Sequence, residues 1–391
     1  MKKNPVDLEK QYLIQTYARS PIVIERGKGC WVWDAKGKKY LDFVAGLGVN
    51  ALGHGHPRIL KALREQAARA IHVSNLYYHP YQGLLAAELA KITGMDRAFF
   101  CNSGTEAVEG AIKLARAHGG RITKDKFEVV ALDNSFHGRT IGALSATGQP
   151  KYRKDFEPIV EGFHYVPFNN FEKLLEKVND QTAAVILEIV QGEGGVHIGD
   201  RDYFAKVRKL CNERNLLLII DEVQTGFCRT GKMFACNHFD LEPDILCLAK
   251  AIAGGLPMGA VLCSDKIEAP VGKHGSTFGG NPLVCAAAIA AIDYMLENRL
   301  DEQARAKGDY FVEKIEQHSF ANVREIRHLG LMIGIELKDK STPYLLKLME
   351  KGVLALPAGA TVLRLLPPLT ISYEDLDFVA EQLAGVLPTK N

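Results

Sequence analysis

Short, nearly continuous apolar runs recur through the middle of the chain. Ala98–Cys101, Glu128–Leu132, Ala183–Glu188, Leu216–Asp221, Asp244–Leu248 and Gly259–Cys263 read as strands. Several lack polar alternation, the pattern of strands covered on both faces. Between them, Glu106–His118 and Arg201–Arg214 carry helical spacing. Strand and helix alternate, which predicts an α/β fold around a mainly parallel sheet with flanking helices. Toward the C-terminus the pattern changes: Met332–Leu337 reads as strand, Pro343–Lys351 as helix, Thr361–Leu366 as strand and Tyr373–Leu387 as helix. The expected division is an N-terminal segment, 1–55, packing with a small α+β domain at 291–391, and a large domain at 56–290. Neither repeats nor a low-complexity linker interrupt it.

Composition adds little that is specific. Of 391 residues, 47% are apolar and 24% charged, ordinary for a soluble globular enzyme. A formal net charge of +2 gives no reason to expect nucleic acid or an acidic membrane surface as partner. The apolar runs are strand-sized, far below the roughly 20 residues of a membrane helix. The basic start, Met1 to Lys10, lacks the apolar stretch of a signal peptide, so a cytoplasmic location is expected. Eight cysteines form no C-x-x-C pair, and several, such as Cys247, lie inside apolar segments. That pattern predicts buried reduced thiols rather than a disulfide framework or a zinc site. His54-Gly55-His56 reads as a loop, without the cysteine or carboxylate company of a metal site.

Candidate chemistry sits at the ends of the predicted strands. Cys101-Asn102-Ser103-Gly104-Thr105-Glu106 lies where strand gives way to helix. A helix N-terminus offers unpaired N–H groups to a phosphate, although Ser103 and Glu106 also suit an ordinary capping box. Gly46 to Ala51 matches a loose dinucleotide fingerprint, but a Gly- and His-rich stretch follows where a helix should begin, and the match fails. Asp221 ends one strand and Lys250 follows another. At the carboxyl ends of parallel strands such groups face the ligand crevice. These two alone are equally compatible with a structural ion pair. Joined to the phosphate cup, they are the parts that pyridoxal phosphate requires: a Schiff-base lysine, a carboxylate for the pyridine nitrogen and an anion site.

Further motifs occur in a fixed order. They are Ser103-Gly104-Thr105-Glu106-Ala107, Phe136-His137-Gly138-Arg139-Thr140, Gln191-Gly192-Glu193-Gly194-Gly195, Asp221 to Gly226, Ala249-Lys250-Ala251, Gly275 to Pro282 and Leu363 to Pro368. In these motifs the chain resembles class III aminotransferases of fold type I, most of all the branch acting on N2-acetylornithine. The resemblance implies that Lys250 and Asp221 are catalytic. It implies a cofactor site of Ser103, Gly104, Thr105, Phe136, Val223, Gln224 and Thr277, with Phe136 and Val223 on the two ring faces. It implies that Arg139, Glu193, Ser276 and Arg364 meet substrate, Glu193 pairing with Arg364 while the donor is bound. Thr277 would reach the phosphate of a second subunit, so a homodimer with shared active sites is expected. The implied reaction moves the δ-amino group of acetylornithine to 2-oxoglutarate. Relatives acting on succinyl-diaminopimelate, ornithine, 4-aminobutyrate or lysine precursors share most of these motifs, and a pyridoxal-phosphate-dependent racemase or a non-catalytic regulator are the more distant alternatives. Two departures stand out: Glu188-Ile189 replaces the family's Glu-Pro, and Cys228 stands where glycine is common, a packed thiol or, as the alternative, a reactive one.

Overall fold

The computed structural model describes residues 4–389. Its centre is a seven-stranded sheet: β1 (Arg97–Cys101), β2 (Glu128–Leu132), β3 (Phe163–Val166), β4 (Thr182–Leu187), β5 (Leu217–Asp221), β6 (Ile245–Leu248) and β7 (Gly259–Cys263). The spatial order is β1-β7-β6-β5-β4-β2-β3. All neighbours are parallel except β7, which runs antiparallel to both β6 and β1. The unbroken apolar runs follow from this position. Val130, Val185, Leu218 and Leu246 join one core, while Val129, Ala184, Ile219 and Ile245 join a second. Successive side chains thus enter opposite, equally dry faces.

The helices end where local chemistry stops them. Gly104–Ile122 starts at Ser103, whose hydroxyl accepts from Glu106 N, and Arg201–Arg214 closes on Asn215 in the left-handed region. The first is longer at both ends than its apolar spacing indicates. Tyr373–Ala384 is shorter than expected and stops at Gly385.

Nearer the C-terminus, Val323–Leu329, Met332–Leu337, Val362–Leu365 and Leu356–Ala358 form an antiparallel sheet in that order. The N-terminal strands Ile24–Lys28, Trp31–Asp34 and Lys39–Asp42 form another, completed by Val353–Leu354 in parallel with Lys39–Asp42. The Phe43 and Phe311 rings, 5.9 Å apart, join the same two regions. Gly46 to Ala51 opens no helix of the dinucleotide-binding kind, since Ala45, Gly46 and Leu47 all have positive φ. His54 Nε2 donates to Asp42 Oδ2 at 2.8 Å, a contact that ties its loop to the N-terminal sheet. All eight cysteines are unpaired and buried; burial pushes the Cys228 thiol up to about 12. Among the described residues no helix is long and apolar enough to cross a membrane.

Candidate active site

The carboxyl ends of β1, β2, β4, β5 and β6 converge on one cavity of about 470 Å³. Each strand delivers its own groups: Ser103 to Thr105 after β1, Phe136 to Arg139 after β2, Glu188 and Glu193 after β4, Asp221 at the end of β5 with Val223 and Gln224 after it, and Lys250 after β6. Two segments that strand-end reasoning does not reach also line it, Val49 and Leu256 to Met258.

One wall is the N-terminus of the helix Gly104–Ile122. Glu106 Oε2 accepts from Asn102 N at 2.8 Å and Ser103 Oγ accepts from Glu106 N at 3.3 Å, a closed cap. The N–H groups of Gly104 and Thr105 find no acceptor among the described residues. They remain free for an anion, with the helix dipole behind them. A Cβ on Gly104 would lie 2.6 Å from Val223 Cγ1, so glycine lets the helix end close over the cavity floor.

The floor is acidic. Asp221 is 5% exposed; its Oδ2 meets His137 Nδ1 at 2.8 Å and its Oδ1 accepts from Val223 N at 3.0 Å. Burial pushes the His137 imidazole down, but the hydrogen bond and charge of Asp221, with Glu188 beyond, more than reverse this and raise it. Among the described residues His137 Nε2 is buried without a partner. Glu188 accepts from Phe136 N at 3.0 Å, and burial lifts its carboxyl to about 7 despite His137. Lys250 is a half-buried residue in the left-handed region, φ 46°, with its amine enclosed. Burial first, then the charge of Arg364, lower its amine to about 8 against the opposing pull of Asp221, Glu193 and Glu188. A lysine so placed is a nucleophile near neutrality.

The two arginines differ. Arg364 is 1% exposed, donating to Glu193 Oε1 at 2.6 Å and Gln224 Oε1 at 3.1 Å. Arg139 is exposed at the mouth, its guanidinium 4.0 Å from the Tyr152 ring centre, and meets no carboxylate among the described residues. Ser276 and Thr277 lie outside the cavity, in a separate surface hollow. Ser276 Oγ accepts from Asn102 Nδ2 at 3.1 Å, one residue behind the cavity wall, and Thr277 is exposed.

The profile of the family Aminotransferase class-III matches residues 13–387. The chain belongs to the class III aminotransferases. This aminotransferase is 48% identical over 98% of its length to acetylornithine aminotransferase of Methanocaldococcus jannaschii, covering 98% of that protein. It is 45% identical to the Aquifex aeolicus protein of the same name, over 96% of this chain and 100% of that one. Among solved structures it is similar to ornithine aminotransferase of Toxoplasma gondii (TM-score 0.94, 34% identity, 97% of this chain and 93% of that one). It is also similar to acetylornithine aminotransferase of Elizabethkingia anophelis (TM-score 0.85, 35% identity, 98% and 97%). A Toxoplasma gondii ornithine aminotransferase structure, 34% identical, carries pyridoxal phosphate at partial occupancy in its active site.

The cofactor of this aminotransferase is pyridoxal phosphate, and the cavity fits it. It offers two free amides at a helix N-terminus for a phosphate, a glycine cradle, a buried carboxylate and an amine of lowered basicity. Sequence reasoning gave no role to His137 or Glu188. Glu188 had a signal, since it too is an acid at the carboxyl end of a parallel strand. The His137 contact spans 84 residues and left no local trace.

Proposed function

We propose that the enzyme transfers the δ-amino group of N2-acetyl-L-ornithine to 2-oxoglutarate, giving N-acetyl-L-glutamate 5-semialdehyde and L-glutamate. The observation that carries this reading is the contrast between two arginines: Arg364 buried on Glu193 at 2.6 Å, Arg139 open at the mouth. The donor's reacting amine lies far from its α-carboxylate, whereas glutamate reacts beside its own. With Glu193 on Arg364, the inner site presents a neutral pair and Arg139 takes the distant α-carboxylate through its planar fork. When glutamate or 2-oxoglutarate enters, Glu193 leaves, Arg364 grips the carboxylate beside the reacting carbon, and Arg139 takes the far one. The names of relatives at 45–48% identity support the same donor.

In this reading Gly104, Thr105 and Ser103 hold the phosphate, Phe136 and Val223 cover the ring faces, and Gln224 lies near the ring hydroxyl. Bound pyridoxal phosphate supplies an aldehyde that takes up the amine and an electron-withdrawing ring. Asp221, hydrogen-bonded to His137 Nδ1 and Val223 N, would be the partner for the ring nitrogen. Lys250 Nζ would hold the aldehyde and, when free, would serve as the base for the proton on the amine-bearing carbon.

We also place Thr277 at the phosphate of a second subunit. His72 lies 5.1 Å from Phe278 in ring centres, and Asn75 Nδ2 donates to the carbonyls of Ser276 and Gly279 at 3.0 Å. These contacts join two segments that expose Ile71, Leu76, Tyr77, Tyr78 and Phe278, a surface suited to a homodimer. A cytoplasmic location suits eight unpaired cysteines.

Half-reaction rates of the holoenzyme with acetylornithine, ornithine, succinyl-diaminopimelate and 4-aminobutyrate test the donor. Acetylornithine should give the highest kcat/KM. Its failure to convert the cofactor while another donor succeeds would overturn the assignment.

A further inference from the structure

The loop that bears Glu193 does not rest on the large sheet alone. In the C-terminal sheet, Arg327 stands opposite Gly334, and Gly334 stands opposite Arg364. Residues directly opposite across antiparallel strands point to the same face, so the three form one rung with a gap at its centre. The loop fills that gap: a Cβ on Gly334 would lie 2.9 Å from Val196 Cβ and 3.3 Å from Gly195 O. On one side Arg327 Nε and Nη2 both donate to Gly195 O, at 3.2 and 2.8 Å. On the other side Arg364 Nη2 donates to Glu193 Oε1 at 2.6 Å. Arg327 is itself buried and held through Nη1 by Glu325 and by Glu336 Oε2, the latter at 2.6 Å. Val196 N closes the loop on Gln191 O at 2.9 Å.

We infer that Arg327 and Gly334 are positioning residues for the Glu193–Arg364 pair, fixing the loop backbone so that only the Glu193 side chain moves when a carboxylate arrives. The inference rests on the proposed exchange of Glu193 for substrate carboxylate. A guanidinium with two N–H groups on one carbonyl restrains both position and tilt, which a single donor does not. If the carbonyl is released, or Val196 is pushed off the rung, Glu193 loses its reach to Arg364. The inner site then stays cationic: it still takes glutamate and loses its tolerance of a donor with no carboxylate there.

The test measures both half-reactions and the Kd of glutarate, a non-reacting dicarboxylate, on holoenzyme carrying Arg327→Gln, Arg327→Lys, Gly334→Ala or Glu336→Gln. Each is made in the wild-type and the Glu193→Gln background. For Arg327→Gln and Gly334→Ala, the ratio of acetylornithine to glutamate kcat/KM should fall about tenfold or more, with glutarate binding within about threefold of wild type or tighter. Arg327→Lys and Glu336→Gln should give smaller shifts in the same direction. In the Glu193→Gln background the same changes should move the ratio by less than about threefold, because the residue they act through is gone. Equal losses in both half-reactions, glutarate binding weakened beyond threefold, or an undiminished effect without Glu193, would each overturn the inference. If the wild type ignores acetylornithine, the substrate reading fails by itself. The comparison is then made with whichever ω-amine donor the wild type does use.

Discussion

Gly104→Ala isolates the cofactor cradle from the fold. The residue is the first of its helix, and the added methyl would lie 2.6 Å from Val223 Cγ1, 3.0 Å from Cγ2 and 3.4 Å from Ala249 Cβ. Val223 is stiff at χ1 and its N–H is held by Asp221 Oδ1 at 3.0 Å, so it cannot slide aside freely. Either Val223 moves into the space proposed for the ring, or the helix end retreats and takes its two free amides with it. Overpacking of this kind costs about 1–3 kcal/mol, and falling on the cofactor it weakens binding by about 5- to 150-fold. The fold should tolerate the change, because alanine is the better helix former by about 1 kcal/mol and can be accommodated while the cavity is empty. The assay is titration of apoenzyme with pyridoxal phosphate, followed by absorbance, beside thermal melting of the apoenzyme. An unchanged cofactor Kd with an intact fold would show that Gly104 is not the cradle. Loss of the apoenzyme fold would show that the contact serves packing instead.

Two further outcomes follow from buried charge. The Lys250 amine is lowered from 10.5 to about 8, so its charged form costs the folded apoenzyme about 2–4 kcal/mol below pH 8. Between about 8 and 10.5 the unfolded chain holds the proton and the folded one does not, so stability rises with pH there. Lys250→Met should therefore be more stable than wild-type apoenzyme at pH 7 in urea denaturation, with the gap closing toward pH 10.5; a constant gap would contradict the burial argument. His137 has the opposite sign. Its raised imidazole adds stability that is complete below about pH 6.5 and lost as pH climbs through the raised value. Against His137→Gln, the wild-type advantage should be largest below pH 6.5 and shrink in alkali, and an advantage that grows with pH would refute the ion pair with Asp221.

How much of this was legible in the sequence depended on the range over which each feature acts. β4, β5 and β6 could be read because a strand buried on both faces is apolar at nearly every position, a purely local record. Asp221 and Lys250 could be read because strand ends in a parallel sheet share one edge. β3, at the sheet edge, is only half-buried at three of its four positions, and Ile24–Lys28 is exposed at all five, so neither leaves an apolar run. Helix ends were missed by a few residues because caps, not apolar spacing, set them.

The arginines show a harder limit. Arg364 and Arg327 sit on strands where a charged residue ordinarily marks the wet face, and in the sequence each looks like one. Arg364 is buried against Glu193, 171 residues away, and Arg327 is shared between the nearby carboxylates of Glu325 and Glu336 and the carbonyl of Gly195, 132 residues away. An isolated buried guanidinium is costly, and only satisfied hydrogen bonds offset the loss of water. Such residues persist where their geometry is used. In this chain the two arginines flank a glycine on one rung and hold opposite ends of the loop between them. The same physics that hides them from a sequence reading, a buried charge whose hydrogen bonds are completed by a distant loop, makes them sensitive to small displacements of that loop. A surface arginine would yield to the same displacement at almost no cost. A switch that must distinguish a carboxylate beside the reacting carbon from its absence needs that sensitivity, and buried charge supplies it.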